Sequence, residues 1–351
     1  MKKRPTMTDI AHEAGVSKNT VSLALRNDPQ IPPHTRERIE KIATALGYQK
    51  NPTIARLMAQ LRSAQNASYR APLGLLNANE DPMAFKNHPT IPTYIAGCRS
   101  RAKQLGYSFD EFWLHDPELD GTRLNRILKA RGILGTLVVG LMGSNRLPER
   151  FNPTWEHYPT IVTGVRTRKP ALSFACVDHH MLALRAFEKA IELGYQRPAM
   201  VLDKTIDELV NGRFTAGALI AQRELPRDLR TNFYYNLNDA RQDRHHFEAW
   251  LHAEKPDVII TLYHEVKRWL IELRYEIPKD IGLIQLEWRK DHSDWAGMNQ
   301  HNDLTGSAAI DMLVGMVHSN DSTIPKYPRG TLIASSWVHG HSIQTANRVG
   351  E

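Results

Sequence analysis

The chain has 351 residues, 41% of them hydrophobic, two cysteines and a formal charge of +7. That length supports more than one domain and a sizeable core. Two cysteines so far apart, Cys98 and Cys176, do not imply a disulfide framework, and a reducing cytoplasm is expected. Met1-Lys-Lys-Arg4 is followed by a polar run, so no signal peptide is expected. The longest apolar stretch, Ile133 to Met142, is too short to cross a bilayer and reads as a buried strand. The location of the charge says more than its size. Residues 1–70 hold twelve Lys and Arg against five Asp and Glu, whereas the remaining 281 residues hold 33 of each sign. A polyanion is therefore the expected partner of the first fifth of the chain.

The first elements are two short helices and a tight turn over residues 6–28. Thr6 with Asp9 forms a capping-box pattern, so a helix starts near Met7. Ile10, Ala11 and Ala14 share one face, and Gly15 permits the left-handed conformation that ends the helix. Ser17 caps the next helix, whose inner stripe is Val21, Ala24 and Leu25. Lys18, Asn19 and Ser22 stay outside on its first turns, as a helix-turn-helix offers them to the major groove. After the turn Pro29-Gln-Ile-Pro-Pro33, a third helix is expected over Thr35–Leu46, with Ile39, Ile42, Ala43 and Leu46 inward and Gly47 closing it. So few apolar residues make a minimal core, and this unit is expected to be marginally stable alone.

This region resembles the N-terminus of LacI/GalR-type transcription regulators. The resembling residues are Thr8-Asp9-Ile10-Ala11, Ala14-Gly15-Val16-Ser17, Thr20-Val21-Ser22, Thr35-Arg36-Glu37-Arg38-Ile39 and Leu46-Gly47-Tyr48. The resemblance implies a DNA-binding headpiece over residues 1–50, with base-edge contacts from Lys18, Asn19 and Ser22. Leu23 stands where the family often has arginine, so it offers an apolar contact in place of a guanine reader. The same resemblance puts Thr20, Arg26, Thr35, Tyr48 and Asn51 at phosphates, which position the protein without reading sequence.

Asn51-Pro-Thr-Ile-Ala-Arg-Leu-Met-Ala-Gln-Leu-Arg62 reads as a short amphipathic helix, capped by Asn51 and started by Pro52. A helix this short is marginal alone in water. It resembles the family's hinge helix, which orders on DNA and wedges a leucine into the minor groove. Leu57 stands at that position, but Ala55-Arg56 is displaced by one residue from the usual order, so Met58 is an alternative wedge. Residues 51–70 are assigned to hinge and linker, 71–343 to a core, and 344–351 to a flexible tail.

From Ala71 strands and helices alternate. Strands are expected at Pro72–Ala78, Tyr107–Leu114, Ile133–Leu141, Thr160–Thr163, Pro198–Leu202, Val258–Leu262 and Ile281–Leu286, with a strand-like stretch at Asn232–Tyr235. Helices are expected at Thr93–Leu105, Thr122–Ala130, Met181–Leu193, Arg213–Arg223, Gln242–Ala253 and Glu265–Leu273. This is an α/β pattern of doubly wound parallel sheets, too long for one sheet. Two lobes with a cleft fit best, and they resemble the periplasmic-binding-protein-like core of the same family. By that likeness the chain crosses between lobes near Val165, Trp288 and Lys326, and Asp303–Val317 returns to the first lobe as a dimer-side helix.

The family's effector pocket implies Arg213, His264, Glu265, Glu287 and Trp288 as its counterparts here. His264-Glu265 replaces an Asn-Asp pair, and Glu287 stands for an aspartate. Arginine as a fork donor, glutamate as a hydroxyl acceptor and tryptophan as a stacking face would suit a sugar-like ligand. The alternative is an ordinary ion pair between Glu287 and Arg213. His179-His180, His245-His246 and His339-Gly-His341 lack partners at zinc-site spacing, and no catalytic motif is present, so neither metal, cofactor nor enzymatic activity is expected. The resulting reading is a cytoplasmic, homodimeric regulator of a pseudo-palindromic operator. It is a repressor by family likeness, under possible small-molecule control. A ligand sensor with non-specific DNA binding, or a two-lobed enzyme with a helical appendage, are the alternatives.

Overall fold

The computed structural model describes residues 7–25, 30–46, 71–319 and 324–344. Arg26, Tyr48, Asn51, Arg56, Leu57 and Met58 lie outside the described residues, as do the side chains of Asn19 and Ser22. The chain divides into two compact units, Met1–Tyr69 and Arg70–Glu351.

The first unit contains α1 (Met7–Ala14), α2 (Lys18–Ala24) and α3 (Pro33–Ala45). Gly15 ends α1 at φ +62°, a conformation that costs a side-chain-bearing residue energy. Ile10, Ala11, Ala14, Val21, Ala24, Ile39 and Ala43 are buried together, with Val16, Leu25, Ile31 and Ile42 around them. Arg38 ties α3 to the end of α1 by donating Nη2–H to the Ala14 carbonyl at 3.2 Å. Two expectations shift. The third helix starts at Pro33, because proline is preorganised for the first helical position. Leu46 falls just past the helix end and is 39% exposed, since the three-helix core does not extend that far.

The second unit is built on two sheets. The six-stranded sheet has the order β10-β5-β4-β3-β1-β2 and is parallel throughout. Its strands are β1 (Ala71–Asn77), β2 (Tyr107–Trp113), β3 (Thr136–Val139), β4 (Thr160–Thr163), β5 (Ser173–Val177) and β10 (Gly330–Ile333). The five-stranded sheet has the order β11-β9-β8-β7-β6. It comprises β6 (Pro198–Val201), β7 (Val258–Thr261), β8 (Gly282–Gln285), β9 (Ala296–Asn299) and β11 (Ser336–Val338), and only β11 runs antiparallel to its neighbour. Strands β3, β4, β5, β7 and β8 are buried on both faces. That is why β3, β4, β7 and β8 read as short apolar runs without alternation.

Helices cover both sheets. On the first lobe lie α4 (Ala84–Asn87), α5 (Ile91–Gln104), α6 (Gly121–Arg131) and α7 (Asn152–His157). The second lobe carries α8 (His179–Glu192), α9 (Lys204–Leu209), α10 (Arg213–Gln222), α11 (Leu237–Gln242), α12 (His245–Glu254) and α13 (Glu265–Glu272). The long α14 (Asn302–Ser319) returns to the first lobe and packs along α5. Glycine makes that approach possible. A Cβ at Gly97 would overlap the Asp303 backbone, and one at Gly306 the Tyr94 carbonyl. The helix expected at Gln242–Ala253 starts instead at His245, because Asp243 is extended and its carboxylate accepts the His245 N–H at 3.0 Å, and Gln242 ends the separate α11.

The chain crosses between the sheets three times, but each crossing lies one strand later than expected. It leaves the first sheet after β5, at Asp178, and returns after β9, near Gln300. It crosses again after β10, between Ile333 and Ser336. The expected crossings at Val165, Trp288 and Lys326 preceded β5, β9 and β10. Those strands are four or five residues long and each mixes larger apolar residues with Gly, Ala, Ser or Thr, so their apolar signal is weak. Asp178 caps α8 by accepting the Met181 N–H at 3.2 Å, and Asp257 accepts the Gln196 and Arg197 N–H groups. Both carboxylates are structural.

Candidate functional site

Two places in the chain gather functional chemistry, one in each unit. In the first unit the start of α2 is set by Ser17, whose Oγ accepts the Thr20 N–H at 3.1 Å and lies 2.9 Å from Thr20 Oγ1. This cap satisfies one of the orphan donors at the helix start. Lys18, the first helical residue, is exposed, while Leu23 and Thr20 are half-buried. Thr35 lies in the first turn of α3, its N–H donating to the Pro32 carbonyl at 3.0 Å. The capped end of α2 therefore presents Lys18 to solvent beside backbone N–H groups, an arrangement that favours negative charge.

In the second unit a cavity of about 380 Å³ lies between the ends of the two sheets. Its walls are largely apolar, with Ile91, Leu141, Val165, Leu209, Phe214 and Leu262 among them. Three of the five expected pocket residues, His264, Glu265 and Glu287, line it. Arg213 and Trp288 do not; their chain neighbours Phe214 and Arg289 do. Trp288 pairs its backbone N–H with the Met298 carbonyl at 2.9 Å.

Glu287 does not pair with Arg213. It follows β8, is 8% exposed, and accepts from three groups. Arg289 Nη2 donates to its Oε2 at 2.7 Å, Thr90 Oγ1 to the same oxygen at 3.0 Å, and Asn302 Nδ2 to Oε1 at 3.0 Å. Thr90 precedes α5 in the first lobe and Asn302 opens α14, so this carboxylate joins the lobes across the cleft. Glu265 is also engaged: both Nε and Nη2 of Arg241 donate to its Oε1, at 3.0 and 2.6 Å.

Sequence reasoning missed Arg289, Thr90, His88, Tyr94, Thr163 and His179, all of which line the cavity. Arg289 was within reach, since it stands two residues from Glu287. The others come from the first lobe or the crossing, where no local pattern marks them. Protonation of the imidazoles is disfavoured. Burial, then the Arg213 charge, pushes His179 down to about 3. Burial, then the neighbouring His292 and Arg289, pushes His264 down to about 4. Burial and Arg289 also lower His88. Among the described residues no three His, Cys, Asp or Glu side chains gather to hold a metal ion, and no helix is long and apolar enough to cross a membrane.

Residues 6–51 match the pattern of the bacterial regulatory proteins of the lacI family. Over 287 residues the chain is 21% identical to Catabolite control protein A of Staphylococcus xylosus, spanning 80% of this chain and 81% of that protein. It is 45% identical over 58 residues to the maltose regulon regulatory protein MalI of Vibrio furnissii, spanning 16% of this chain and 39% of that protein. Among solved structures, the CelR–cellobiose complex superposes with a TM-score of 0.59 at 18% identity, covering 97% of this chain and 100% of that chain. The lac repressor dimer bound to operator and the anti-inducer ONPF superposes with a TM-score of 0.57 at 17% identity, covering 97% and 99%. The headpiece match, the capped α2 and the two-sheet core agree: residues 6–51 carry the pattern of the lacI family of bacterial regulatory proteins, and the rest of the chain shares the fold of solved regulators that resemble it.

Proposed function

We propose that the protein is a cytoplasmic homodimeric repressor that binds a pseudo-palindromic operator, one headpiece per half-site, under the control of a small sugar-like effector. The observation that carries the DNA reading is the Ser17-capped start of α2 with Lys18 in solvent, inside the segment that matches the family. Lys18, Asn19, Ser22 and Leu23 read base edges in the major groove. Thr20, Arg26, Thr35, Tyr48 and Asn51 hold phosphates. Residues 51–70 form the hinge, with Leu57 or Met58 as the minor-groove wedge and Arg56 beside it.

The cavity between the lobes supports the effector reading. Its His264, Glu265 and Glu287 line the space where both lobes meet, while Arg213 and Trp288 are not among its lining residues. A ligand there favours one lobe arrangement, and differential affinity for two arrangements is what couples a pocket to a DNA site. The CelR structure in the comparison holds cellobiose, and the lac repressor structure is a dimer on operator.

The test is selection of bound duplexes from random DNA by the full chain, with and without candidate sugars. A palindromic consensus whose enrichment changes with a sugar is expected. Recovery of random sequence, with binding lost uniformly as salt rises, would leave only charge-driven binding and overturn the operator reading.

A further inference from the structure

We propose that the ligand of the interlobe cavity carries an anionic group, a carboxylate or a phosphate, seated on Arg289, His88 and His264. This rests on the effector reading above and narrows its chemistry to a sugar acid or a sugar phosphate.

The argument starts from which hydrogen-bonding groups are already engaged. A neutral sugar is recognised chiefly by carboxylates and amides that accept from its hydroxyls. Of the two carboxylates lining this cavity, Glu287 is engaged on both oxygens and Glu265 on Oε1. Glu287 accepts from Arg289, Thr90 and Asn302, and Glu265 from Arg241. Gln300 directs its amide N–H to the Leu286 carbonyl at 2.8 Å, leaving its amide oxygen as a neutral acceptor.

What remains in the wall is mostly donors. Arg289 Nε is buried and unpartnered, and a guanidinium N–H can only donate. His88 Nδ1 accepts the Thr90 and Ile91 backbone N–H groups at 3.1 and 3.3 Å. Its proton therefore sits on Nε2, which is a donor. His264 Nε2 and Thr163 Oγ1 are buried without partners. Orphaned buried groups cost energy unless something in the site satisfies them. A carboxylate or phosphate oxygen accepts from several at once, and such charge-assisted bonds are the stronger kind.

Electrostatics point the same way. The Arg289 charge reaches both His88 and His264 and disfavours protonating either. Facing His264 are also His292, Asp291 and Asp294, the last paired with Lys267; Asp81 faces His88. His179 on the cavity wall feels the charge of Arg213, which lies outside the lining and forms no salt bridge among the described residues. An anion entering this setting reverses the sign, so His264 takes up a proton as the ligand binds. The apolar walls then hold the ligand's carbon skeleton.

The test titrates full-length protein, with histidine imidazoles followed by NMR, at constant ionic strength. The probes are sulfate, gluconate, glucose 6-phosphate and neutral cellobiose. Sulfate keeps its charge from pH 5.5 to 8, so any pH dependence belongs to the protein. Saturable shifts of His264 and His88 with sulfate are expected, tightening as pH falls. Tighter shifts with gluconate or with glucose 6-phosphate name the carboxylate or the phosphate. Arg289→Gln should weaken sulfate about tenfold, the loss of one charge-assisted bond. Arg289→Lys, which keeps the pairing with Glu287 but not the fork, guards against misfolding. His264→Gln should flatten the pH dependence while binding persists. Saturation by cellobiose alone, no binding of any anion, or sulfate binding indifferent to both Arg289 variants would each overturn the proposal. Operator selection without anion remains a separate readout, so a failed anion site does not look like a failed DNA reading.

Discussion

Among the described residues of the first unit, seven buried side chains hold three helices and leave Lys18 standing in water. In the second, Glu287, Arg289, Thr90, His88 and His264 converge on a cavity from two lobes, and their polar atoms are largely buried. The contrast follows from the partner proposed for each. A DNA duplex is a long, charged surface, so its reader needs only a short scaffold that exposes a few donors at fixed spacing. A small molecule must be surrounded, which takes walls from two sheets and leaves charges that must be balanced within the protein. A change in the headpiece should therefore act on recognition, and one in the core on folding and coupling.

The largest break in that contrast is expected at the α5–α14 contact. Gly306→Val places a branched side chain against the Tyr94 carbonyl and should cost about 3 kcal/mol, read as a lowered denaturation midpoint of the core. A midpoint unchanged within 0.5 kcal/mol, by the usual scatter of surface substitutions at about that size, would show the helices are not held by that approach.

Acid should come next. His179 is 6% exposed and, chiefly through burial and then Arg213, lowered to about 3 from an ordinary value near 6.5. The unfolded chain therefore binds the proton more readily. Stability is fully present above pH 6.5 and falls as pH drops toward 3. At pH 5 the loss is about 2 kcal/mol, and His179→Phe should shrink it. A core whose melting temperature is flat from pH 7 to 5 would place that imidazole in a wetter setting.

Smaller effects belong to the headpiece. Lys18→Ala should relax base preference at one operator position by about 1–3 kcal/mol, whereas Arg26→Ala should weaken all sequences alike. Matching profiles across operator variants would remove Lys18 from the reading face. Ser17→Ala, which removes the cap on α2, should destabilise the headpiece by about 1 kcal/mol without touching the core. Calorimetry of the full chain separates these if the two units melt apart. Residues 1–50 melting cooperatively as high as the intact chain would contradict the marginal headpiece.

Much of the headpiece was legible because its signals are local. Gly15, Ser17 and the stripes at Ile10, Ala14, Val21 and Ile39 each act within a few residues, and the structure uses them that way. In the core, strands that are apolar throughout were legible, and β5, β9 and β10 were not. Each mixes larger apolar residues with small or polar ones, and pairing with neighbouring strands makes them sheet. Missing each one moved a crossing one strand too early. The cavity suffered most. Glu287 was foreseen, but as a ligand group or a partner for Arg213, whereas its partners are Arg289, Thr90 and Asn302.

By itself the sequence determined the headpiece, its basic charge and the alternation of strands with helices, since turn chemistry, side-chain period and net charge are short-range properties. Only the tertiary structure decided where the chain crosses between lobes and which groups meet in the cleft. Thr90 and Glu287 are nearly two hundred residues apart, and whether a carboxylate is free to bind a ligand depends on what the fold has already placed beside it.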